Sequence, residues 1–291
     1  MVVQDQLTFA GQDVTLAAER WTPSTDDRRL GTVLLLHGGG QTRNSWKRTA
    51  ERLAEHGWTA IALDARGHGD SSWASDADYT PDAMIADLRA VVAALGERPV
   101  LVGASLGGIT SLLAQGEDPA LASGLVLVDV TPRIQAEGRD EVAAFMRSGS
   151  EGFGSLEEAA EAVTAFNPSR KRPPRPEGMR KNLRLRDGRW YWHWDPKFLD
   201  TRLDDLTPEV IDARTRRAMD AGANLKVPTM LVRASNSQIV SPESAQELLA
   251  VIPHGRLVNI DGASHMVAGD DNDLFARELL GFLGECARVG G

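Results

Sequence analysis

A single cysteine, Cys286, stands in a chain of 291 residues. One thiol cannot form an intrachain disulfide, so no disulfide framework holds the fold, and a reducing cytoplasm is the expected setting. The sequence also lacks any apolar run near the roughly 20 residues that a membrane span needs. Its opening, MVVQDQLTFAGQDV, has no basic region leading into an apolar stretch, so no signal peptide is expected. An excess of positive charge is missing too: the formal charge of −9 argues against nucleic acid as the main partner. There is no internal repeat and no low-complexity tract. None of these absences bears on a small neutral substrate, and a homo-oligomer remains compatible with all of them.

What the chain does contain is ordinary for a soluble globular protein, with 42% hydrophobic and 25% charged residues. Its length suits one core domain carrying an insertion. The first half alternates strand and helix patterns. VTLAAERW alternates apolar and polar residues, as a half-exposed edge strand does. TVLLLHGG, WTAIALDARGHGDS, PVLVGASLGG and SGLVLVDVTP are short, continuous apolar runs ending in turns, the mark of buried parallel strands. Between them lie helical segments, including TPDAMIADLRAVVAALG with Thr80 as N-cap and Pro81 in the first turn. Repeated units of this kind imply a parallel sheet covered by helices on both faces.

The rhythm breaks after Pro132. Charged helices come next, then the basic, proline-rich NPSRKRPPRPEG, read as a solvated loop because the whole chain is acidic. LRLRDGRWYWHWDP follows, a hairpin expected to turn on Asp187-Gly188. The alternation resumes at KVPTMLVRAS and runs through GRLVNIDGAS to a last helix from about Asp273, the helix that carries Cys286 as a packing or surface residue. The expected plan is a core made of residues 1–132 and 224–291, with a mostly helical cap over residues 133–223.

Three segments carry chemistry. GASLGG, Gly103 to Gly108, matches G-x-S-x-G between a buried strand and a helix, the context in which a sharp turn lifts a serine hydroxyl out of the sheet. Ser105 is the candidate nucleophile, and the Leu106 N–H at the helix start can face a developing oxyanion. A serine of ordinary pKa needs a base, and DGASHMV supplies His265 near the C-terminus, in the order Ser then His that such a turn requires. HGGGQ, His37 to Gln41, places glycines after the strand before the first core helix, where Gly39 can give a second oxyanion donor. The other histidines are less well placed. His56 and His254 end helices, His193 is in the hairpin segment, His68 is in a glycine-rich turn, and His37 is read as bracing its loop.

Taken in order, LLLHGGG, LDARGHGDS, GASLGG, LVLVDVTPR and IDGASHMV resemble the α/β-hydrolase fold superfamily, in the cap-bearing branch of esterases, lactonases, epoxide hydrolases, dehalogenases and non-haem peroxidases. The resemblance implies an α/β fold with a mostly parallel eight-stranded sheet and an inserted cap. It implies no cofactor and no metal. Epoxide hydrolases and dehalogenases carry an aspartate at the nucleophile turn, so Ser105 points instead to acyl transfer from a small-molecule ester or lactone.

The same resemblance raises a difficulty. The family places its acid after the strand that here reads PTMLVRAS, and VRASNSQIV puts Gln238 there. Some members carry the acid one strand earlier, and the strand read in GLVLVDV ends on Asp129, the residue before Val130. Asp129 is therefore the expected acid, against the alternative that it only caps a turn; Glu243 and Asp261 are weaker candidates. In the cap, Trp190, Trp192 and Trp194 alternate along the hairpin and are expected on one face. With Phe145, Met146 and Phe166 they either line an apolar pocket over Ser105 or fasten the cap to the core. Cofactor-free oxygen or peroxide chemistry, and a non-catalytic ligand receptor, are the other functions this fold allows.

Overall fold

The computed structural model describes residues 2–24, 29–166, 174–200, 207–262 and 273–290. Residues 167–173 of the basic, proline-rich stretch and the predicted base His265 lie outside the described residues. Eight strands form one sheet in the order β1-β2-β4-β3-β5-β6-β9-β10. They are β1 (Val2–Ala10), β2 (Thr15–Pro23), β3 (Thr32–Leu36), β4 (Thr59–Leu63), β5 (Val100–Ala104), β6 (Gly124–Val128), β9 (Thr229–Ala234) and β10 (Arg256–Ile260). From β4 to β10 every pairing is parallel, whereas β1-β2 and β2-β4 are antiparallel. The segment expected at the edge, VTLAAERW, is the second strand, because β1 pairs along its whole outer side from Val2↔Pro23 to Ala10↔Thr15.

The four continuous apolar runs of the first half are buried at every position of β3, β4, β5 and β6. Period-two alternation divides β3 between two cores: Leu34 and Leu36 face one, Val33 and Leu35 the other. The first core is covered by α2 (Pro81–Leu95), α3 (Leu106–Glu117), α7 (Pro208–Ala223) and α8 (Pro242–Val251), the second by α1 (Lys47–Glu55) and α9 (Asp273–Gly290). Side-chain caps set the helix starts, that of α2 at Thr80 as the sequence implies. Thr80 accepts from the Ala83 N–H ahead of α2 and Ser241 from the Ser244 N–H ahead of α8, each with proline in the first turn. Cys286 is buried in α9 beside Gly124, and burial pushes its thiol up to about 11, which makes it a packing residue.

The insertion between β6 and β9 contains α4 (Ala136–Arg147), α5 (Leu156–Phe166), the hairpin β7 (Leu183–Arg186) and β8 (Arg189–Trp192), and the single turn α6 (Lys197–Leu199) before α7. The hairpin turns on Asp187-Gly188 as expected. Both have positive φ, 48° and 78°, the pair of left-handed residues that a two-residue type I′ turn demands. Met146, Trp192 and Trp194 from this insertion belong to the same apolar cluster as Leu88 and Leu112, so the insertion extends the core over the C-terminal edge of the sheet.

One buried ion pair fastens the turn after β4 to α2. Arg66 donates to both carboxylate oxygens of Asp87, at 2.7 and 2.8 Å, and to the carbonyls of Asp78 and Gln12. Both side chains are almost wholly buried, so removing one partner strands the other charge away from water. Asp87→Ala should cost about 3–5 kcal/mol of stability, read as a lower midpoint in urea-induced unfolding.

Candidate active site

The candidate nucleophile sits at a strained turn. Ser105 links β5 to α3 with φ 45° and ψ −110°, outside the basins that an L-residue favours. Its N–H donates to the Val128 carbonyl and its carbonyl accepts from the Ile109 N–H, so both neighbouring elements hold the strained turn. The glycines of the motif allow the required approach. A Cβ on Gly107 would lie 2.5 Å from the Leu36 carbonyl oxygen of β3, closer than any side chain tolerates. Leu106 is the first residue of α3, so its N–H has no carbonyl one turn back to bond.

The His37–Gln41 loop leaves β3 alongside this turn, and a Cβ on Gly38 would be 3.4 Å from the Ser105 Cβ. Most of its N–H groups are committed. Gly38 donates to Gln41 Oε1 at 3.1 Å, Gly40 to His68 Nε2 at 3.2 Å, and Gln41 to the Gly38 carbonyl at 3.1 Å. The Gly39 N–H has no acceptor among the described residues. His37 braces the loop, as expected, through Nδ1 to the Gly38 carbonyl and by accepting the Ala65 N–H on Nε2. Burial of this imidazole lowers its pKa to about 4.

Asp129 follows β6 and is fully buried. Its φ of 49° turns the carboxylate toward β9. Oδ1 accepts the Ala234 N–H at 3.0 Å and Oδ2 the Ser237 hydroxyl at 2.6 Å. A carboxylate has about four acceptor sites, so these two bonds do not exhaust it. Ser237 Oγ also accepts from the N–H groups of Ile239 and Val240, closing a compact turn after β9. Gln238, one residue on, is exposed, and its carbonyl packs against Gly138 of α4. Glu243 is solvent-exposed in the first turn of α8, with its carboxyl held below its usual range by the N–H of its own helix start and by Ser241. Asp261 is exposed. His56 and His254 bond backbone carbonyls near helix ends.

Above the glycine loop the cap supplies a row of rings. Phe166 stacks on Phe145 (4.2 Å between centroids), Phe145 meets Trp192 (5.5 Å), and Trp192 stacks on Trp194 (4.9 Å). A Cβ on Gly40 would lie 3.4 Å from the Trp194 ring and 3.3 Å from Met146, so the row ends on the loop. The strand stops at Trp192, and Trp190 stands apart from the row, under the Arg180 guanidinium and paired through its backbone to Phe153. Among the described residues, no three His, Cys, Asp or Glu side chains converge to hold a metal, and no helix is long and apolar enough to cross a membrane.

Residues 31–271 match the model of the α/β hydrolase fold family. The chain belongs to that family. It is 32% identical to the esterase Rv0045c of Mycobacterium tuberculosis over 265 residues, covering 88% of this chain and 82% of the relative. The crystal structure of that esterase superposes with a TM-score of 0.72 at 26% identity, over 97% of this chain and 92% of the other. The chain is also 27% identical to the mouse sn-1-specific diacylglycerol lipase ABHD11, over 88% of this chain and 82% of the relative. The fold matches that of E-2-(acetamidomethylene)succinate hydrolase with a TM-score of 0.80 at 21% identity, over 97% and 100% of the two chains. These likenesses support general esterase or hydrolase chemistry on an α/β-hydrolase fold with a cap insertion.

Within this α/β hydrolase, sequence reasoning missed four contributors: Ser237, His68, His193 and Phe198. The signal for Ser237 was present, since this serine stands directly before Gln238, where the resemblance puts the family's acid. Phe198 packs at the Gly39 backbone and edge-on against His68, a contact that only the three-dimensional path of the cap creates. Two outcomes follow from the geometry. Gly107→Ala should abolish correct seating of α3 on β3, read as loss of soluble folded protein or of near-ultraviolet circular dichroism. Because burial lowers the pKa of His37, the unfolded chain binds a proton there that the folded chain does not between pH 6.5 and about 4. Its stabilising effect is complete above pH 6.5 and fades as the pH falls through that window. His37→Gln keeps an acceptor for Ala65 without a charge, so urea unfolding of this variant should show a shallower acid limb than wild type.

Proposed function

We propose that the chain is a serine hydrolase cleaving a carboxylic ester or lactone through Ser105, His265 and Asp129. His265 takes the Ser105 proton as Oγ attacks the carbonyl carbon. The N–H groups of Leu106 and Gly39 hold the resulting oxyanion. Collapse of this adduct breaks the bond to the leaving oxygen, which receives the proton from His265. Water, activated by the same imidazole, then attacks the acyl-enzyme and releases the acid and free Ser105. Asp129 accepts the other ring N–H of His265, fixing its tautomer and stabilising the imidazolium. Trp194 and Met146 wall the site, with Phe145, Phe166 and Trp192 behind Trp194 and Trp190 at the outer side, which suits a bulky apolar or aromatic substrate. Residues 133–223 act as the cap on this reading.

The observation that carries the proposal is the placement of Asp129: buried at the end of β6, its carboxylate is bonded to the turn after β9, while Gln238 is out in solvent. Chain connectivity supports His265 as the partner. The Gly262 N–H is tied to Ser235 Oγ at 2.8 Å, immediately after Ala234, and three residues of extended chain reach about 10 Å. The relatives described above as an esterase and a lipase agree with ester chemistry.

A fluorophosphonate should label wild type at Ser105 and not Ser105→Ala. Asp129→Asn is a sound probe because asparagine tolerates a left-handed backbone and keeps an oxygen for the Ala234 N–H. On aryl esters and lactones it should lose roughly 10⁴ in kcat, the scale of the same change in another triad. Gln238→Ala should stay within about threefold of wild type. The reverse ranking would refute Asp129 as the acid, and oxygen uptake in place of acid release would refute hydrolysis.

A further inference from the structure

His68 lies in the glycine-rich turn after β4, fully buried, and takes no part in the chemistry proposed above. Its hydrogen bonds fix its tautomer. Nδ1 is 3.1 Å from the Arg66 carbonyl, so it carries the proton, and Nε2 accepts the Gly40 N–H at 3.2 Å. That acceptance, with the Gln41 amide oxygen accepting from Gly38, leaves the Gly39 N–H without an acceptor among the described residues. The two peptide groups flanking His68 are both gripped by the cap. His193 Nδ1 accepts the Gly69 N–H at 2.7 Å, and the Asp195 N–H donates to the Gly67 carbonyl at 2.9 Å. Asp195 is in turn anchored by the Tyr79 hydroxyl at 2.6 Å.

The rings reinforce this chain of contacts. His68 sits 5.3 Å from His37, 5.8 Å from His193 and 4.8 Å, edge-on, from Phe198. Burial and the neighbouring imidazoles hold His193 well below its ordinary pKa, so it stays neutral and able to accept. Its Nε2 is buried, with no aligned hydrogen-bond partner among the described residues. Trp194, the next residue, packs on Gly40 itself.

We propose that His68 of the core and His193 of the cap are positioning residues for the oxyanion loop, so that the Gly39 donor is held in place only when the cap segment 193–195 is seated. The inference rests on the serine-hydrolase reading with Gly39 as an oxyanion donor. It makes the cap part of the catalytic framework as well as a wall for substrate. A donor displaced from the oxyanion weakens the transition state and leaves ground-state binding nearly unchanged, which separates positioning from pocket lining.

The test uses the full chain with four variants, each checked for folding by circular dichroism and thermal unfolding. His68→Phe and His193→Phe keep a ring and remove the acceptor. His68→Gln and His193→Asn return an oxygen near the lost Nε2 and Nδ1. On a 4-nitrophenyl ester, each phenylalanine substitution should lower kcat about 10- to 100-fold with KM within about threefold, below the 10²–10³ of deleting a donor outright. Inhibition by an aryl trifluoromethyl ketone, which binds as an oxyanion adduct, should weaken by a similar factor. His68→Gln and His193→Asn should recover most of both. A folded His68→Phe with wild-type kcat, a change confined to KM, or equal losses in the paired substitutions would overturn the proposal; should His68→Phe not fold, the His193 pair decides by the same criteria. Wild type that neither cleaves esters nor takes up fluorophosphonate would instead overturn the serine-hydrolase reading and this inference with it.

Discussion

The close approach of α3 to β3 is the constraint on which the rest of the site depends. Gly107 lies so near the Leu36 carbonyl that any side chain would collide with it, and its N–H bonds the His37 carbonyl at 3.1 Å. That contact sets the Ser105 turn and the glycine loop side by side, because Leu36 and His37 lead directly into the loop. Ser105 then has to adopt a positive φ, a strain of order 1–3 kcal/mol that the surrounding hydrogen bonds must offset. The helix start and the loop lie side by side because these two backbones touch.

A second strained residue lies at the end of β6. Asp129 also has a positive φ, and its backbone N–H is bonded to the Val232 carbonyl at 2.7 Å. β6 and β9 are parallel neighbours, so their C-terminal ends emerge side by side, and an acid on either can serve one histidine. On this reading Ser237 substitutes a neutral hydroxyl where the usual arrangement has charge nearby. Its donation to Asp129 fixes the direction of that carboxylate, and its acceptance of two N–H groups keeps the turn compact with Gln238 outside it.

The parts of the fold legible in the sequence were those decided locally. The apolar runs of β3 to β6, the cap at Thr80, the Asp187-Gly188 turn and the strand-serine-helix junction each carry their signal within a few residues. What stayed hidden depends on distant parts of the chain. His193 and Gly69 are 124 residues apart, and nothing in RGHGDS or WYWHWDP announces that one will hold the other. Alternation along WYWHW did predict that Trp192 and Trp194 share a face, but it could not show the strand ending at Trp192 or Trp190 separating toward Arg180. The resemblance identified the empty acid position, and only the packing of Asp129 against Ala234 and Ser237 gave a physical reason to prefer one replacement.

Cap and core are therefore joined in two chemically different ways. The aromatic row from Phe166 to Trp194 is apolar and continuous with the main core, and such packing gives adhesion with little directional control. The contacts at Gly67, Gly69 and Tyr79 are hydrogen bonds made in a buried site, where a misplaced donor costs its full desolvation. Directional bonds are the ones able to fix a backbone N–H to within the tolerance that oxyanion stabilisation needs. The polar seam lies behind the glycine loop and the apolar row beside it, so on the proposed serine-hydrolase reading substitutions in the row should alter which substrates fit, while substitutions in the seam should alter how fast any of them reacts.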